Sequence, residues 1–568
     1  MSAWRISGVK GYGHFNRISN VFTHRICDPM GQYSLQSPAL TVIARLSIHH
    51  TDFNDILVAG LRRNFRKCCQ NIVAVALETP SELAALACAA FRDLVWEDQS
   101  YAAREMGADL KYESVELGHL AYEIFLFRKN KAYKKLAKKP KDIVGAKQDY
   151  AQSLTNLSVA LSRIGRNVEA VGCAKEALEV LQPLVKNNID DTFQAIYASV
   201  LGNYSTRLNA VGRNEEALSF VQQAVAIHKR LADKDSGRFE PGYATSLNNY
   251  ANRLSDTGQS AEALGFAQQA VTIYKQLADK DPGSFEPGYA TSLSNYANSL
   301  GEIGQYAEAQ DFAQQAVAIR KRLAEKNPDR FEPDYADSLN NYANSLGEIG
   351  QYAEAQSVAQ QALAIHKRLV EKNPDRFEPD YAMSLNNYAI RLSEAGQYAE
   401  AQGSAQQAAA IYERLAVKTP ARYEFDAYNS YFNVRFLHWL EEIQPVNGGW
   451  AEPLPPLPSE IAAHQQAELR FYAAVLQACL AVSPKQRREG VQQALTVWQA
   501  LAPAQQNPAL EYYLCAWGWL NHHEPTALTE PAGAELWRRF YQQRQGRLPH
   551  WLHTVAERLN FTWPDEAA

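Results

Sequence analysis

Between Asp334 and Ile349 the apolar side chains Leu339, Tyr342, Ala343 and Leu346 fall at i, i+3, i+4 and i+7, the spacing that lines one face of an α-helix. Polar residues fill the other positions, so this segment predicts an amphipathic helix with one buried side. Gly350-Gln351 follows it, and glycine there suits the left-handed conformation that closes a helix. From about Tyr352 to Lys372 a second apolar set, Ala355, Ala359, Ala362 and Leu369, predicts another helix, about 30 Å long at 1.5 Å per residue. Its small alanines let the two backbones approach closely. Asn373-Pro374 reads as the stop of that helix, and Phe377-Glu378-Pro379 as the lead into the next segment.

The next segment repeats the pattern. Tyr-Ala-x-Ser-(Leu/Val) begins at Tyr150, Tyr197, Tyr243, Tyr289, Tyr335 and Tyr381, with spacings of 47, 46, 46, 46 and 46 residues. Glycine recurs in step at Gly165, Gly212, Gly258, Gly304, Gly350 and Gly396, each followed five residues later by an alanine. One such hairpin cannot cover its own apolar face, whereas six stacked in register share a continuous core. The pattern predicts an all-α solenoid of antiparallel helix pairs over residues 150–440. Asn433, another 46 residues beyond Asn387, marks the first helix of a degenerate seventh copy that caps the array.

The run Leu339…Tyr342-Ala343…Leu346…Gly350-Gln351-Tyr352…Ala355…Ala359…Ala362 is similar to the tetratricopeptide motif, and the likeness covers about residues 150–419. The phrase Ser-Leu-Asn-Asn-Tyr-Ala-Asn-x-Leu-x-x-x-Gly-Gln-Tyr-Ala-Glu-Ala most resembles the long repeats of kinesin light chain and of bacterial proteins like it. The usual period of that family is about 34 residues. Here it is 46, with the extra length expected in the second helix and its following loop. The resemblance implies a right-handed superhelix whose first helices line a concave groove, and a role in binding partners rather than in catalysis.

One polar position returns in every copy: Asn156, Asn203, Asn249, Asn295, Asn341 and Asn387. The central copies add a second asparagine three residues later, at Asn252, Asn298 and Asn344, where outer copies carry Val159, Thr206 and Ile390. A carboxamide offers two donors and an acceptor, so a ladder of them can grip an extended peptide backbone with little regard for its side chains. The candidate peptide-binding residues are therefore Asn249, Asn252, Asn295, Asn298, Asn341, Asn344 and Asn387. For the invariant ladder a second reading stays open, in which it satisfies polar groups between neighbouring repeats; the central trio points more directly to a ligand. Chaperone-binding members of the resembled family clamp a carboxylate with groove lysines, but the corresponding positions here are Asn248, Ser294, Asn340 and Asn386, which argues against such a clamp. His228-Lys229-Arg230, Arg320-Lys321-Arg322 and His366-Lys367-Arg368 are expected on solvated outer faces of second helices.

The flanks follow no such period. Residues 1–100 have no recognisable fold, and Met106 is an alternative start. Residues 101–149 read as a helical lead-in, with a basic segment that includes Lys134, Lys135, Lys138 and Lys139, expected to be a solvated face. Residues 441–458 are Pro/Gly-rich and read as a linker. Residues 459–568 are helical in pattern and carry Trp498, Trp517, Trp519, Trp537, Trp551 and Trp563, expected to pack a C-terminal bundle.

Composition narrows function further. The formal charge of −5 gives no overall pull toward nucleic acid, which is not an expected partner. Seven cysteines, scattered and without a C-x-x-C, argue against a disulfide framework or a zinc ribbon. With no secretory signal pattern at the N-terminus and no apolar run long enough to span a bilayer, the expectation is a cytoplasmic protein with no membrane partner. No G-x-x-x-x-G-K-[ST] loop or G-x-S-x-G elbow occurs. Gln477-Ala478-Cys479 lacks the glycine of a protease signature, and the clusters His49-His50/Asp52 and His522-His523-Glu524 lack a third ligand. No catalytic residue, cofactor or metal site is assigned. The expected function is a protein–protein interaction scaffold or adaptor holding a peptide or protein segment in the groove. The alternative is a regulatory or sensor protein in which the solenoid receives the signal and the flanks act on it.

Overall fold

The computed structural model describes residues 83–106, 118–185, 190–441, 463–480 and 541–559, with scattered positions between 58 and 72, between 485 and 497, and at 538. These residues contain no strand, and the chain divides into two compact units, Met1–Val180 and Leu181–Ala568.

In the first unit, α1 (Leu83–Arg92), α2 (Trp96–Met106) and α3 (Gly118–Ala137) gather around an aromatic core. Phe91 lies between Phe65 and Phe127 at ring-centroid distances of 6.0 and 6.1 Å. Cys69 and Cys88 are both buried, and burial pushes the Cys88 thiol up to about 11, which keeps it unreactive. The basic segment makes contacts inside the unit: Lys134 sits 4.2 Å over the Trp96 ring, and Lys135 pairs with Asp149 at 2.8 Å. The first repeat opens with α4 (Ile143–Arg163), capped by the Asp142 carboxylate accepting from the Gly145 N–H, and continues into α5 (Asn167–Val185).

The second unit stacks hairpins in chain order: α6 (Asp191–Asn209) with α7 (Asn214–Lys234), α8 (Ser236–Asp256) with α9 (Ser260–Lys280), and α10 (Pro282–Glu302) with α11 (Tyr306–Lys326). Then come α12 (Pro328–Glu348) with α13 (Tyr352–Lys372), α14 (Pro374–Glu394) with α15 (Tyr398–Lys418), and α16 (Pro420–Glu441). Glycine closes each first helix as its spacing requires: Gly350 has φ +77°, and the Gln351 N–H reaches back to the Leu346 carbonyl at 2.9 Å. Ala355, Ala359 and Ala362 are fully buried, so the second helix presses its backbone against its neighbours.

The sequence pattern misplaces the other boundary. From α7 to α15 every helix is 21 residues long and a single residue joins one copy to the next, so the added period is shared between the helices rather than lodged in a loop. Asn373 ends α13 and begins α14 at once. Its N–H bonds the Leu369 carbonyl at 3.0 Å, and its side chain accepts from the Arg376 N–H at 3.3 Å. Pro374 at the first helical position forfeits nothing, because the N–H it lacks would have no partner there. Pro379 lies inside the helix and does forfeit a backbone bond; burial of the neighbouring Phe377 holds that turn in place.

Polar bridges lock successive first helices together. The Asn248, Asn340 and Asn386 amides donate to the hydroxyls of Ser292, Ser384 and Ser430, each at 2.7 Å. Ser292 and Ser384 belong to the recurring Tyr-Ala-x-Ser phrase, which explains why that phrase keeps a hydroxyl inside the stack, and Ser430 holds the same position in Ala427-Tyr428-Asn429-Ser430. At the end of the array α17 (Ala463–Leu480) and α18 (His550–Leu559) join the core of the last repeats, with Phe471, Tyr472, Leu476 and Val555 buried alongside Tyr388 and Phe432. The tryptophans of residues 459–568 other than Trp551, the stretch 442–458 and both histidine clusters lie outside the described residues.

Candidate functional site

Each first helix of the second unit keeps one stripe that its neighbours do not cover. On α12 it runs Arg330, Asp334, Asp337, Asn341, Asn344 and Glu348, in steps of three or four residues, so all six point to one side. The same register places Asn249 and Asn252 on α8, Asn295 and Asn298 on α10, and Asn387 on α14. All seven predicted asparagines thus share one face; Asn298 is exposed and the others are half-buried. The face turns inward. Arg422 on α16, which desolvation pushes down, is held up by Asp426 and also by the charge of Asp256 on α8, far along the stack. Residues that interact across so many hairpins must look toward one another over a concave space.

None of the seven asparagine side chains has a hydrogen-bond partner among the described residues, and the Asn295 amide nitrogen is enclosed without one. The bridging role that the sequence left open for the ladder is instead filled one residue earlier, by Asn248, Asn340 and Asn386. The positions compared with a carboxylate clamp are therefore inside the stack, not in the groove.

The basic triplets divide in the same way. Lys229, Arg230, Lys321, Arg322, Lys367 and Arg368 are exposed as expected, and Arg322 and Arg368 pair with Glu286 and Glu332 at 2.5 and 2.9 Å. His228, Arg320 and His366, expected outside, are buried. His228 and His366 meet the hydroxyls of Ser246 and Ser384 at 2.8 and 2.6 Å, and Arg320 donates to Ser338 at 2.7 Å. Helical period explains the difference: the first member of each triplet follows the buried alanine stripe, the next two do not.

Carboxylates on the stripe escaped the sequence reading. Asp334, Asp380 and Asp426 recur at the 46-residue period, and Asp337 lies beside them. Although the Asp337 side chain is 44 % exposed, protein rings it on the concave side, and that desolvation pushes its carboxyl up to about 6 against the pull of Arg320 and Arg376. Desolvation and the neighbouring Asp337 push Asp380 up to about 7, and desolvation pushes Asp426 to about 6. Counting back four and seven residues from Asn341 would have found them.

At the far end of the stripe the chain's own C-terminal segment closes in. Arg544 is fully buried and pairs with Glu348. Tyr352 donates to the Arg547 carbonyl at 2.8 Å, and the Tyr398 hydroxyl lies 2.9 Å from His550 Nδ1 and 2.7 Å from Thr554 Oγ1. Trp551 packs edge-on to Phe436 with ring centroids 6.0 Å apart. Phe436 and Ile390 occupy the register of the central asparagine trio. The polar grip therefore gives way to apolar side chains where the chain covers its own groove.

Helix hairpins in strict register around a polar inner face define a helical-repeat solenoid. Its units are tetratricopeptide repeats: residues 196–276 and 334–414 match one tetratricopeptide repeat family profile, and residues 290–329 match a second. The chain is similar to the solved structure of BtubC (BKLC) from P. vanneervenii, at 19% identity over 44% of this chain and 91% of that one, with a TM-score of 0.33. It is also similar to a putative kinesin light chain from Podosopora anserina with nearly identical TPR-like repeats, at 26% identity over 38% and 94%, TM-score 0.29. A third similarity is to a Rap protein complexed with Competence and Sporulation Factor, at 14% identity over 85% and 99%, TM-score 0.40. No curated protein matches the chain. Among the described residues no helix is long and apolar enough to cross a membrane, and no group of three or more His, Cys, Asp or Glu side chains is placed to hold a metal ion.

Proposed function

We propose that this protein is an interaction scaffold or adaptor that holds an extended segment of a partner protein along the inner stripe of its repeats. Asn249, Asn252, Asn295, Asn298, Asn341, Asn344 and Asn387 supply the grip. The supporting observation is that these seven carboxamides line one face with no hydrogen bond inside the described protein, while the adjacent asparagines do the structural bridging. Carboxamides aligned at the repeat spacing can pair with successive peptide groups, and a face already fixed by the stack limits the ordering cost of binding. Selection of random twelve-residue displayed peptides on the full chain tests this. Peptides should be enriched on the wild type and lost on the Asn252→Ala, Asn298→Ala, Asn344→Ala variant, with circular dichroism showing that the variant remains helical. Equal enrichment on both proteins would make the asparagines architectural and the reading wrong.

A further inference from the structure

Where the C-terminal segment closes the stripe, it leaves a cavity of about 210 Å³ between α14, α16, α17 and α18. Its walls are unlike the rest of the groove. Ile390, Phe436, Tyr472 and Trp551 make an apolar and largely aromatic throat, and Asn429 and Asn433 carry the polar stripe to its mouth. Glu394 also lines it. That residue is only 6 % exposed, and its Oε2 is enclosed with no hydrogen-bond partner.

Of the nearby charges only Arg391 reaches that oxygen, as an ion pair that forms no hydrogen bond. Arg391 Nη1 stands 3.2 Å from it, but the guanidinium is laid flat over Gly347, where a Cβ would sit 1.4 Å from Nη1, and its contact at 3.4 Å is to the Ala343 carbonyl. Arg544 is committed to Glu348. The four charges balance, and Oε2 remains without a hydrogen bond beside aromatic walls. A side chain that fits has a long apolar stem to lie against Ile390 and the rings, and a charged donor at its tip for Glu394. Aromatic faces attract cations as well, and a donor to a buried carboxylate is worth more than one to a neutral acceptor.

We propose that this closed end of the groove is a subsite for one lysine side chain of the segment held along the asparagine stripe, an assignment that rests on the groove reading above. The chain's own C-terminal helix contributes Trp551 to the subsite, so it takes part in selectivity rather than merely capping the stack. Desolvation and Glu348 together push the Glu394 carboxyl up to about 7 despite Arg391 and Arg544, as expected of a site that a cation would complete.

The test uses twelve-residue peptides of Gly, Ser and Asn bearing a single lysine, norleucine or glutamate at each position in turn, titrated against the full chain by fluorescence anisotropy. Norleucine has the apolar stem without the donor. Lysine at one position should bind about tenfold more tightly than norleucine there, the scale of one charged hydrogen bond. The gap should vanish in Glu394→Gln, and also in Ile390→Lys, which puts a tethered lysine at the mouth from a 38 % exposed position where folding is not at stake. Binding that responds to the Asn252/Asn298/Asn344 substitutions but treats lysine and norleucine alike would overturn the subsite and leave the groove standing. Binding by no peptide would overturn both.

Discussion

Ser384 shows how much of this architecture rests on single hydroxyls. Its Oγ accepts from the Asn340 amide at 2.7 Å and lies 2.6 Å from His366 Nδ1. The amide donates to this hydroxyl and the imidazole shares it through Nδ1, while Nε2 faces Asp337 Oδ1 at 3.5 Å. Ser384→Ala would strand two buried polar groups and should cost roughly 2–4 kcal/mol in urea unfolding. Burial pushes His366 down to about 4 from 6.5, so it stays neutral when folded. Its share of stability is present above pH 6.5 and lost as pH falls toward 4. Glu394 works in the opposite sense. With its carboxyl raised from 4.5 to about 7, it favours the fold below pH 4.5, and that advantage is lost as pH rises through 7. Arg391, Glu348 and Arg544 act on it in that balance, and its own charge acts on Tyr352 nearby. Melting temperatures at pH 5 and pH 8 check this: Glu394→Gln should raise the value at pH 8 and leave that at pH 5 nearly unchanged.

At the scale of the element, the sequence reveals what repeats and hides what is shared between copies. Apolar spacing and the glycines defined the hairpin because each acts within its own helix. The single-residue joint did not show, because proline usually reads as a break and here stands at the first helical position, where its missing N–H is harmless. The glycines also differ in what they touch. Gly258 and Gly350 have φ of +79° and +77°, so alanine at either should cost about 1 kcal/mol for the left-handed backbone. At Gly350 a Cβ would also stand 2.7 Å from the Arg544 carbonyl oxygen. Gly350→Ala should therefore destabilise more than Gly258→Ala and speed amide exchange in residues 541–559, while Gly258→Ala leaves that segment's exchange unchanged.

For the whole molecule, the stripe was legible and its setting was not. Asn249 to Asn387 could be aligned by counting, since register along a solenoid fixes which side a residue faces. The aspartates beside them follow the same register only in the later repeats, so they did not stand out as a ladder. The contacts of Arg544, His550 and Trp551 join residues more than a hundred positions apart, in a segment with no repeat to align, and only the fold could bring them to the groove. The central claim is that the inner stripe is the surface partners occupy, and photo-crosslinking from single positions in the native cell tests it most directly. A benzoylphenylalanine at Asn298, on the stripe, should form adducts with a partner protein, whereas one at Lys321, on the outer face, should not. Adducts from position 321 with none from position 298 would contradict the account.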